Sequence, residues 1–170
     1  MKSVLITGSQ GFIGSYVCSE LLENGYKVIG VDNFSKYGPV VRKHDSHENF
    51  TFIEHDCSKG SFIEIVNNYD FDYIIAGAAM IGGISYFHKY AYDLLSTNER
   101  IISNTFDLAL QQFKNKKLEK IVVLSSSMVF ENVNTWPTKE SEIKNCPPPS
   151  STYGFQKLAC EYFTQGAHEQ

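Results

Sequence analysis

An α/β fold, with a Rossmann-type doubly wound parallel sheet and helices on both faces, is predicted by three observations. Short apolar runs alternate with stretches of helical spacing along 170 residues, the pattern of a sheet buried on both faces. A glycine-rich turn, Gly8, Gly11 and Gly14, separates the first apolar run from the first helical stretch. An acid, Asp32, closes the second apolar run, where such folds often place a polar contact.

The elements follow in order. Lys2 to Thr7 is an apolar run suited to a buried strand. Phe12, Ile13, Val17, Leu21 and Leu22 are expected to share a helix face, and Gly25 to stop that helix. Tyr26 to Asp32 and Phe50 to His55 read as the second and third strands. Ser58 to Tyr69 carries Phe62, Ile65 and Val66 at helical spacing, and Phe71 to Ala76 reads as a fourth strand. The spacing of Ile101, Ile102, Thr105, Leu108 and Ala109 predicts a long helix over 93–113. A fifth strand is expected over 120–125. A last helix is expected over 152–166, apolar at Phe155, Leu158, Ala159, Tyr162 and Phe163. Between them, 131–151 has little periodicity and holds Pro137, Pro147, Pro148 and Pro149. A loop of that length in a compact domain is usually functional or disordered, and this one is read as an active-site rim.

Composition narrows the function classes. The net charge of −4 and the lack of a long basic run argue against a nucleic-acid partner. The one basic cluster, Lys114 to Lys120, reads as a solvated helix end and loop. No apolar run approaches the ~20 residues of a membrane span, so no membrane partner is expected. Cys18, Cys57, Cys146 and Cys160 show no paired spacing, and a reduced, cytoplasmic protein is the simplest reading.

The glycine turn suggests a dinucleotide. Gly8 allows a tight turn, Gly11 lets backbone approach a pyrophosphate, and Gly14 lets helix pack on strand. The helix N-terminus then offers N–H groups and a positive dipole end to the phosphates. The spacing is G-x-x-G-x-x-G, and Asp32 follows Gly14 by 18 residues. A carboxylate there accepts hydrogen bonds from an adenosine ribose and repels a 2′-phosphate, which favours NAD over NADP. The bland alternative is a ligand-free turn and an ordinary loop acid.

Proton-transfer chemistry is suggested by Tyr153 and Lys157, one helical turn apart, downstream of Ser125, Ser126 and Ser127. A phenol has a pKa of ~10 in water. A neighbouring ammonium and a cationic nicotinamide both favour the phenolate. A serine at the carboxyl end of the fifth strand lies where such sheets bind ligands, and could hold a substrate alcohol or carbonyl. A Y-x-x-x-K pair alone occurs often by chance; its weight comes from the glycine turn and the serines.

Across all 170 residues the chain resembles the extended short-chain dehydrogenase/reductases, in particular the NAD-dependent nucleotide-sugar epimerase/dehydratase family. Thr7 to Gly14 is similar to T-G-x-x-G-F-I-G, Asp32-Asn33-Phe34 to the ribose-binding strand end, and Tyr153 to Leu158 to Y-G-x-S-K-L. His55-Asp56-Cys57 resembles the segment whose Asp contacts adenine, and Ala76-Gly77-Ala78-Ala79 the segment lining the cofactor after the fourth strand. Asn98 sits where the family has a structural Asn near the active site. The resemblance thus implies an NAD site formed by Gly8, Gln10, Gly11, Phe12, Ile13, Gly14, Asp32, Asn33, Phe34, Asp56, Cys57, Gly77, Ala78, Ala79, Met80 and Asn98, with Tyr153 and Lys157. Aligned on Val129-Phe130, the family's active hydroxyl falls on Ser126, with Ser127 as runner-up. The implied roles are Tyr153 as base then acid, Ser126 positioning the hydroxyl, and Lys157 binding nicotinamide ribose and tuning Tyr153.

Departures from the family shape the expected reaction. The 4,6-dehydratases carry an Asp-Glu pair where this chain has Ser127-Met128. GDP-fucose synthases and GDP-mannose 3,5-epimerases carry a Cys where it has Met128, although Gly82-Gly83-Ile84 resembles that subgroup. What remains is oxidation and re-reduction at one carbon of a UDP- or GDP-linked sugar, as in UDP-glucose 4-epimerases. A nucleotide-sugar reductase or dehydrogenase is the enzymatic alternative, and a non-catalytic NAD-binding module the other. Relatives are roughly twice as long, so residues 1–170 are expected to be the NAD-binding Rossmann domain of a longer enzyme without the C-terminal substrate domain. The resemblance also implies a homodimer through the helices over 93–113 and 152–166.

Two features remain weak. His44 and His47, near Asp45 and Glu48, are read as solvated loop residues, and no metal site is expected. Tyr86, Phe87, Tyr90 and Tyr92 read equally as packing under a loop, or as a contact with a sugar or uracil ring or a dimer face.

Overall fold

The computed structural model describes residues 1–115 and 117–170, and for Ile84 the backbone only. Lys116, within the expected basic cluster, lies outside the described residues. Five strands form one parallel sheet in the order β3-β2-β1-β4-β5: β1 (Ser3–Thr7), β2 (Lys27–Asp32), β3 (Phe50–Glu54), β4 (Tyr73–Ala76) and β5 (Lys120–Val123). Each is one or two residues shorter than its apolar run. The trimmed residues still close the ladder ends: the Lys27 N–H donates to Lys2 O, Asp72 N–H to Ser3 O, and His55 N–H to Asp32 O. The winding reverses between β1 and β4, where Thr7 lies opposite both Val31 and Ala76. Ligands of such sheets bind at that reversal, beyond the carboxyl ends of the strands.

The core explains why the strands read as continuous apolar runs. Leu5, Ile29, Val31 and Ile74 face one side, against Phe62 and Val66 of α2 (Ser61–Val66) and Leu108 and Ala109 of α4 (Ala91–Lys114). Val4, Ile6 and Val28 face the other, against Cys18 and Leu22 of α1 (Phe12–Glu23). Alternate residues of one strand thus serve opposite clusters, each fully buried Leu or Ile contributing ~1.5–3 kcal/mol of transfer free energy.

Helical spacing misjudged three faces. In α1 the buried residues are Gly14, Ser15, Cys18 and Leu22, while Phe12 and Ile13 are exposed. The helix approaches through small residues, which turns the larger ones outward. Its end is sharp: the N–H groups of Gly25 and Tyr26 donate to Leu22 O and Leu21 O, a Schellman closure. Helix α2 starts after an Asp56–Lys59 turn and is shorter than expected, and Ile65 points to solvent while Ile63 packs on the core. In α5 (Thr152–Glu169) Tyr153, Gly154, Gln156, Lys157 and Cys160 are buried, whereas Phe155 and Tyr162 of the expected apolar stripe are exposed.

Two compact units divide the chain: Met1–Ala79 with Arg100–Leu124, and Met80–Glu99 with Ser125–Gln170. The first holds the sheet. The second holds α3 (Ile84–Lys89), absent from the sequence reading, and α5. It also holds a 3₁₀ turn at Ser127–Phe130 and the proline-rich segment, itself broken by a 3₁₀ turn at Glu140–Lys144. In the first unit His44 is not solvated as expected. It is 3% exposed in a 3₁₀ turn, its ring edge-on to Phe50 at 4.6 Å.

Candidate functional site

The first unit builds a cradle from backbone. Gly8 has φ +77, and a Cβ there would stand 2.9 Å from the Ala78 nitrogen. At Gly14 a Cβ would lie 2.0 Å from Gly8 O, so the turn closes only with glycine at both positions. Thr7 Oγ1 accepts the N–H groups of Gly77 (3.2 Å) and Ala78 (3.1 Å), which ties the ends of β1 and β4 together. Gly11 is the N-cap of α1, and no side chain caps that helix. Its first N–H groups therefore remain available to an anion.

Asp32 stands at the next strand end. Its Oδ2 accepts the Gln10 N–H at 3.0 Å and its Oδ1 the Phe34 N–H at 2.8 Å. Each oxygen keeps a lone pair for a ribose hydroxyl. Asn33 Oδ1 accepts the Ser35 N–H, and Phe34 sits at φ 54, a left-handed position that bulky residues seldom take. Asp56 accepts from the Ser58 N–H (2.9 Å) and hydroxyl (2.7 Å). Burial pushes its pKa up, but those bonds outweigh it and hold the carboxyl below its ordinary value. Cys57 differs from its neighbours, because its thiol is buried in the core with its pKa raised by burial. Only its backbone could face a ligand.

The second unit builds from side chains. Asn98, 2% exposed, grips the Met80 backbone on both sides: its Oδ1 accepts the Met80 N–H at 2.7 Å and its Nδ2 donates to Met80 O at 2.9 Å. Ser126 Oγ accepts the Met128 N–H at 3.2 Å and so caps the Ser127–Phe130 turn. Ser125 instead donates to Glu161 Oε1, and Ser127 is exposed. Helix α5 packs on that turn closely enough that a Cβ on Gly154 would meet Met128 O at 2.7 Å. Ser151 Oγ accepts the Gly154 N–H (3.0 Å) and donates to Glu131 Oε2 (2.8 Å), fixing the start of α5.

Tyr153 and Lys157 lie on the buried face of α5. Phe87 of α3 stacks on the Tyr153 ring, centroids 4.5 Å apart and planes 7° from parallel. Of the aromatic group, this ring packs on the candidate phenol, while Tyr86 and Tyr90 pack on each other at 4.7 Å. Lys157 is 8% exposed, and burial pulls its pKa below the ordinary lysine value. Below it, Gln156 Nε2 donates to Cys160 Sγ at 2.8 Å.

Sequence reasoning left Phe87 undecided within its aromatic group and gave no role to Glu131, Arg42 or Asp45. The last two join Gln10 through Arg42 Nη2 to Gln10 O (2.7 Å) and Gln10 Nε2 to Asp45 Oδ1 (2.8 Å). Glu131, Arg42 and Asp45 sit in segments without periodicity, where only their charge could have drawn attention. Among the described residues no group of three or more His, Cys, Asp or Glu could hold a metal ion. No described helix is long and apolar enough to cross a membrane.

The model of the NAD-dependent epimerase/dehydratase family matches residues 4–170. A UDP-glucose 4-epimerase from Thermotoga maritima, solved with UDP-glucose, superposes with a TM-score of 0.82 at 28% identity, covering 99% of this chain and 52% of its own. The Bordetella bronchiseptica enzyme WbmH, solved with NAD⁺, gives 0.78 at 27% identity, over 98% and 52%. A UDP-N-acetyl-α-D-glucosaminuronate decarboxylase from Bacillus cytotoxicus is 34% identical over 76% of this chain and 38% of its own. The chain thus spans about half the length of the two solved relatives.

Proposed function

The chain belongs to the NAD-dependent epimerase/dehydratase family, and on that premise we propose that it carries the cofactor-binding and proton-transfer residues of a nucleotide-sugar 4-epimerase. The observation that carries this reading is the inverted helix α5. It buries Tyr153 and Lys157 and leaves Phe155 and Tyr162 in solvent. Burying an ammonium is costly, and a helix packed only for this chain's own stability would bury Phe155 and Tyr162 in place of Lys157. Polar groups buried at such cost mark functional sites, which also disfavours a module that merely binds.

The residues present fit NAD. The uncapped N-terminus of α1 and the turn Gly8–Gly14 would hold the pyrophosphate, with Gln10, Phe12 and Ile13 contributing backbone, and Asp32 would take the adenosine ribose. Asn33, Phe34, Asp56 and the backbone of Cys57 would border the adenine end, and Gly77 to Met80, steadied by Thr7 and Asn98, the nicotinamide end. When bound, NAD⁺ takes a hydride from a sugar carbon and returns it.

The chain's own groups handle the proton. Tyr153 removes it from the sugar hydroxyl and later gives it back. Ser126 Oγ already accepts from Met128, so its own hydrogen is left to donate to the sugar oxygen. Lys157, held in a low-dielectric setting, acts on the neighbouring phenolate more strongly than it would in water. Met128 cannot protonate a ring carbon as a cysteine would, and Ser127-Met128 supplies no acid pair for loss of water, which leaves chemistry at one carbon. The substrate is a UDP- or GDP-linked hexose. Exposed Phe155 and Tyr162 support a homodimer, and free Cys18, Cys57, Cys146 and Cys160 a reducing compartment.

The test uses the full reading frame that encodes the chain, with UDP- and GDP-hexoses in D₂O followed by NMR. We expect inversion at one carbon with no deuterium at the carbons beside it. Tyr153→Phe should slow turnover ~10²–10⁴-fold with NAD still bound. Deuterium beside the reacting carbon, or undiminished turnover of Tyr153→Phe, would overturn the reading.

A further inference from the structure

Gln10 is held from every side in a way the glycine turn itself does not require. Its N–H donates to Asp32 Oδ2 at 3.0 Å. Its carbonyl accepts from Arg42 Nη2 at 2.7 Å. Its side-chain amide donates to Asp45 Oδ1 at 2.8 Å. Asp45 Oδ2 in turn accepts the Arg42 N–H at 2.7 Å, closing a ring of bonds through residues more than thirty positions away. Gln10 is 3% exposed. Gln10 Oε1 and Arg42 Nε are both buried and have no hydrogen-bond partner among the described residues. Buried polar atoms normally find partners, so this corner keeps polar capacity beside the Asp32 strand end.

We propose that Arg42 and Asp45 are positioning residues for recognition of the cofactor's adenosine ribose: they fix Gln10, and the Gln10 N–H fixes the Asp32 carboxylate. The inference rests on NAD being the cofactor. Its physical content is orientation. A carboxylate must present its lone pairs at defined angles to two ribose hydroxyls, and a free carboxylate rotates. One oxygen of Asp32 is set by its own strand-end turn through Phe34, the other by Gln10. Gln10 belongs to a turn whose glycines restrict the backbone least, so a scaffold beyond the turn holds it. The segment carrying Arg42 and Asp45 is that scaffold. A direct electrostatic role for Arg42 makes the opposite prediction: a guanidinium that touched a 2′-phosphate would favour NADP, and its removal would strengthen the preference for NAD.

The experiment titrates NAD, NADP and ADP-ribose into the 170-residue chain and its variants, with binding followed by calorimetry. Binding of NAD by the wild type tests the cofactor premise separately. Arg42→Ala and Asp45→Ala remove opposite charges, yet both should weaken NAD and ADP-ribose about tenfold, the size of one or two net hydrogen bonds. Both should also lower the NAD:NADP affinity ratio. On an Asp32→Ala background neither should have a further effect, because the group they orient is gone. If either alanine variant unfolds, Arg42→Gln and Asp45→Asn replace it, and because their amides keep part of the ring a smaller loss in the same direction is expected. Unchanged NAD affinity, a rise in the NAD:NADP ratio, or an effect that persists undiminished without Asp32 would overturn the proposal.

Discussion

The turn after β1 and the turn after β5 do similar jobs in the chain, yet they are finished in opposite ways. The first leads into α1 with no side-chain cap, its donors left open. The second is closed by Ser126, and α5 beyond it is closed by Ser151, itself gripped by Glu131. Open N–H groups suit a region that must receive an anion. Capped ones suit a region whose side chains must stay where they are. In the proposed reading the first unit receives the cofactor through backbone and the one carboxylate of Asp32, and tolerates little change of shape. In the same reading the second works through side chains and tolerates little change of chemistry.

The sharpest way to break that contrast is Gly14→Ala. The added methyl would lie 2.0 Å from Gly8 O, so the turn must open. We expect a loss of stability on the order of 3 kcal/mol, read by urea denaturation, together with loss of measurable NAD binding. An alanine variant of wild-type stability that binds NAD would show the cradle to be adaptable. A smaller effect is expected in the second unit. Ser151→Ala removes the α5 cap and should cost ~1 kcal/mol, with NAD affinity unchanged. Weakened NAD binding in that variant would mean the two regions are not functionally separable in this way.

The smallest effects come from one titratable group in each unit, buried His44 and half-buried Glu99, and their signs oppose. Burial lowers the His44 pKa below 6.5. The folded state then prefers the neutral ring, and its contribution is complete above pH 6.5 and lost as pH falls through the lowered value. Burial raises the Glu99 pKa above 4.5. Its contribution is complete below pH 4.5 and lost as pH rises through the raised value. Melting curves across pH should show His44→Phe flattening the acid limb below 6.5. Glu99→Gln should flatten the decline above 4.5. Parallel shifts of the whole curve in either variant would show that the titration contributes nothing.

What the sequence made legible follows from how many constraints act on a residue at once. The strands were readable because Leu5, Ile29 and Ile74 face one apolar cluster and Val4, Ile6 and Val28 another, so consecutive positions of the central strands are apolar. The turn was readable because no residue but glycine meets the contacts at Gly8 and Gly14. Helix faces were less so. Periodicity assigns the apolar stripe to the core, and in α5 the face that carries Tyr153 and Lys157 displaced it, leaving Phe155 and Tyr162 outside. His44 was misread because a 3₁₀ turn and the Phe50 ring buried it, neither of which leaves a repeating pattern. The Phe87–Tyr153 stack and the Arg42–Asp45–Gln10 ring join distant positions, and a single sequence carries no trace of which aromatic or which ion meets which.

Asn98 has a consequence on a longer clock. Its amide spans the Met80 N–H and C=O like one rung of a β-ladder, and only an amide on so short an arm presents a donor and an acceptor at that spacing. Hydrolysis of that one amide to a carboxylate, the commonest chemical ageing of asparagine, would set an oxygen against the Met80 carbonyl and turn attraction into repulsion. The position resists it for the reason it matters: Asn98 is 2% exposed and lies within the hydrogen-bonded body of α4, where the following N–H is already engaged and water is scarce. The residue most open to damage by a single-atom exchange is thus shielded by the helix that presents it, and the working life of the Met80 loop is tied to how seldom that stretch of α4 opens.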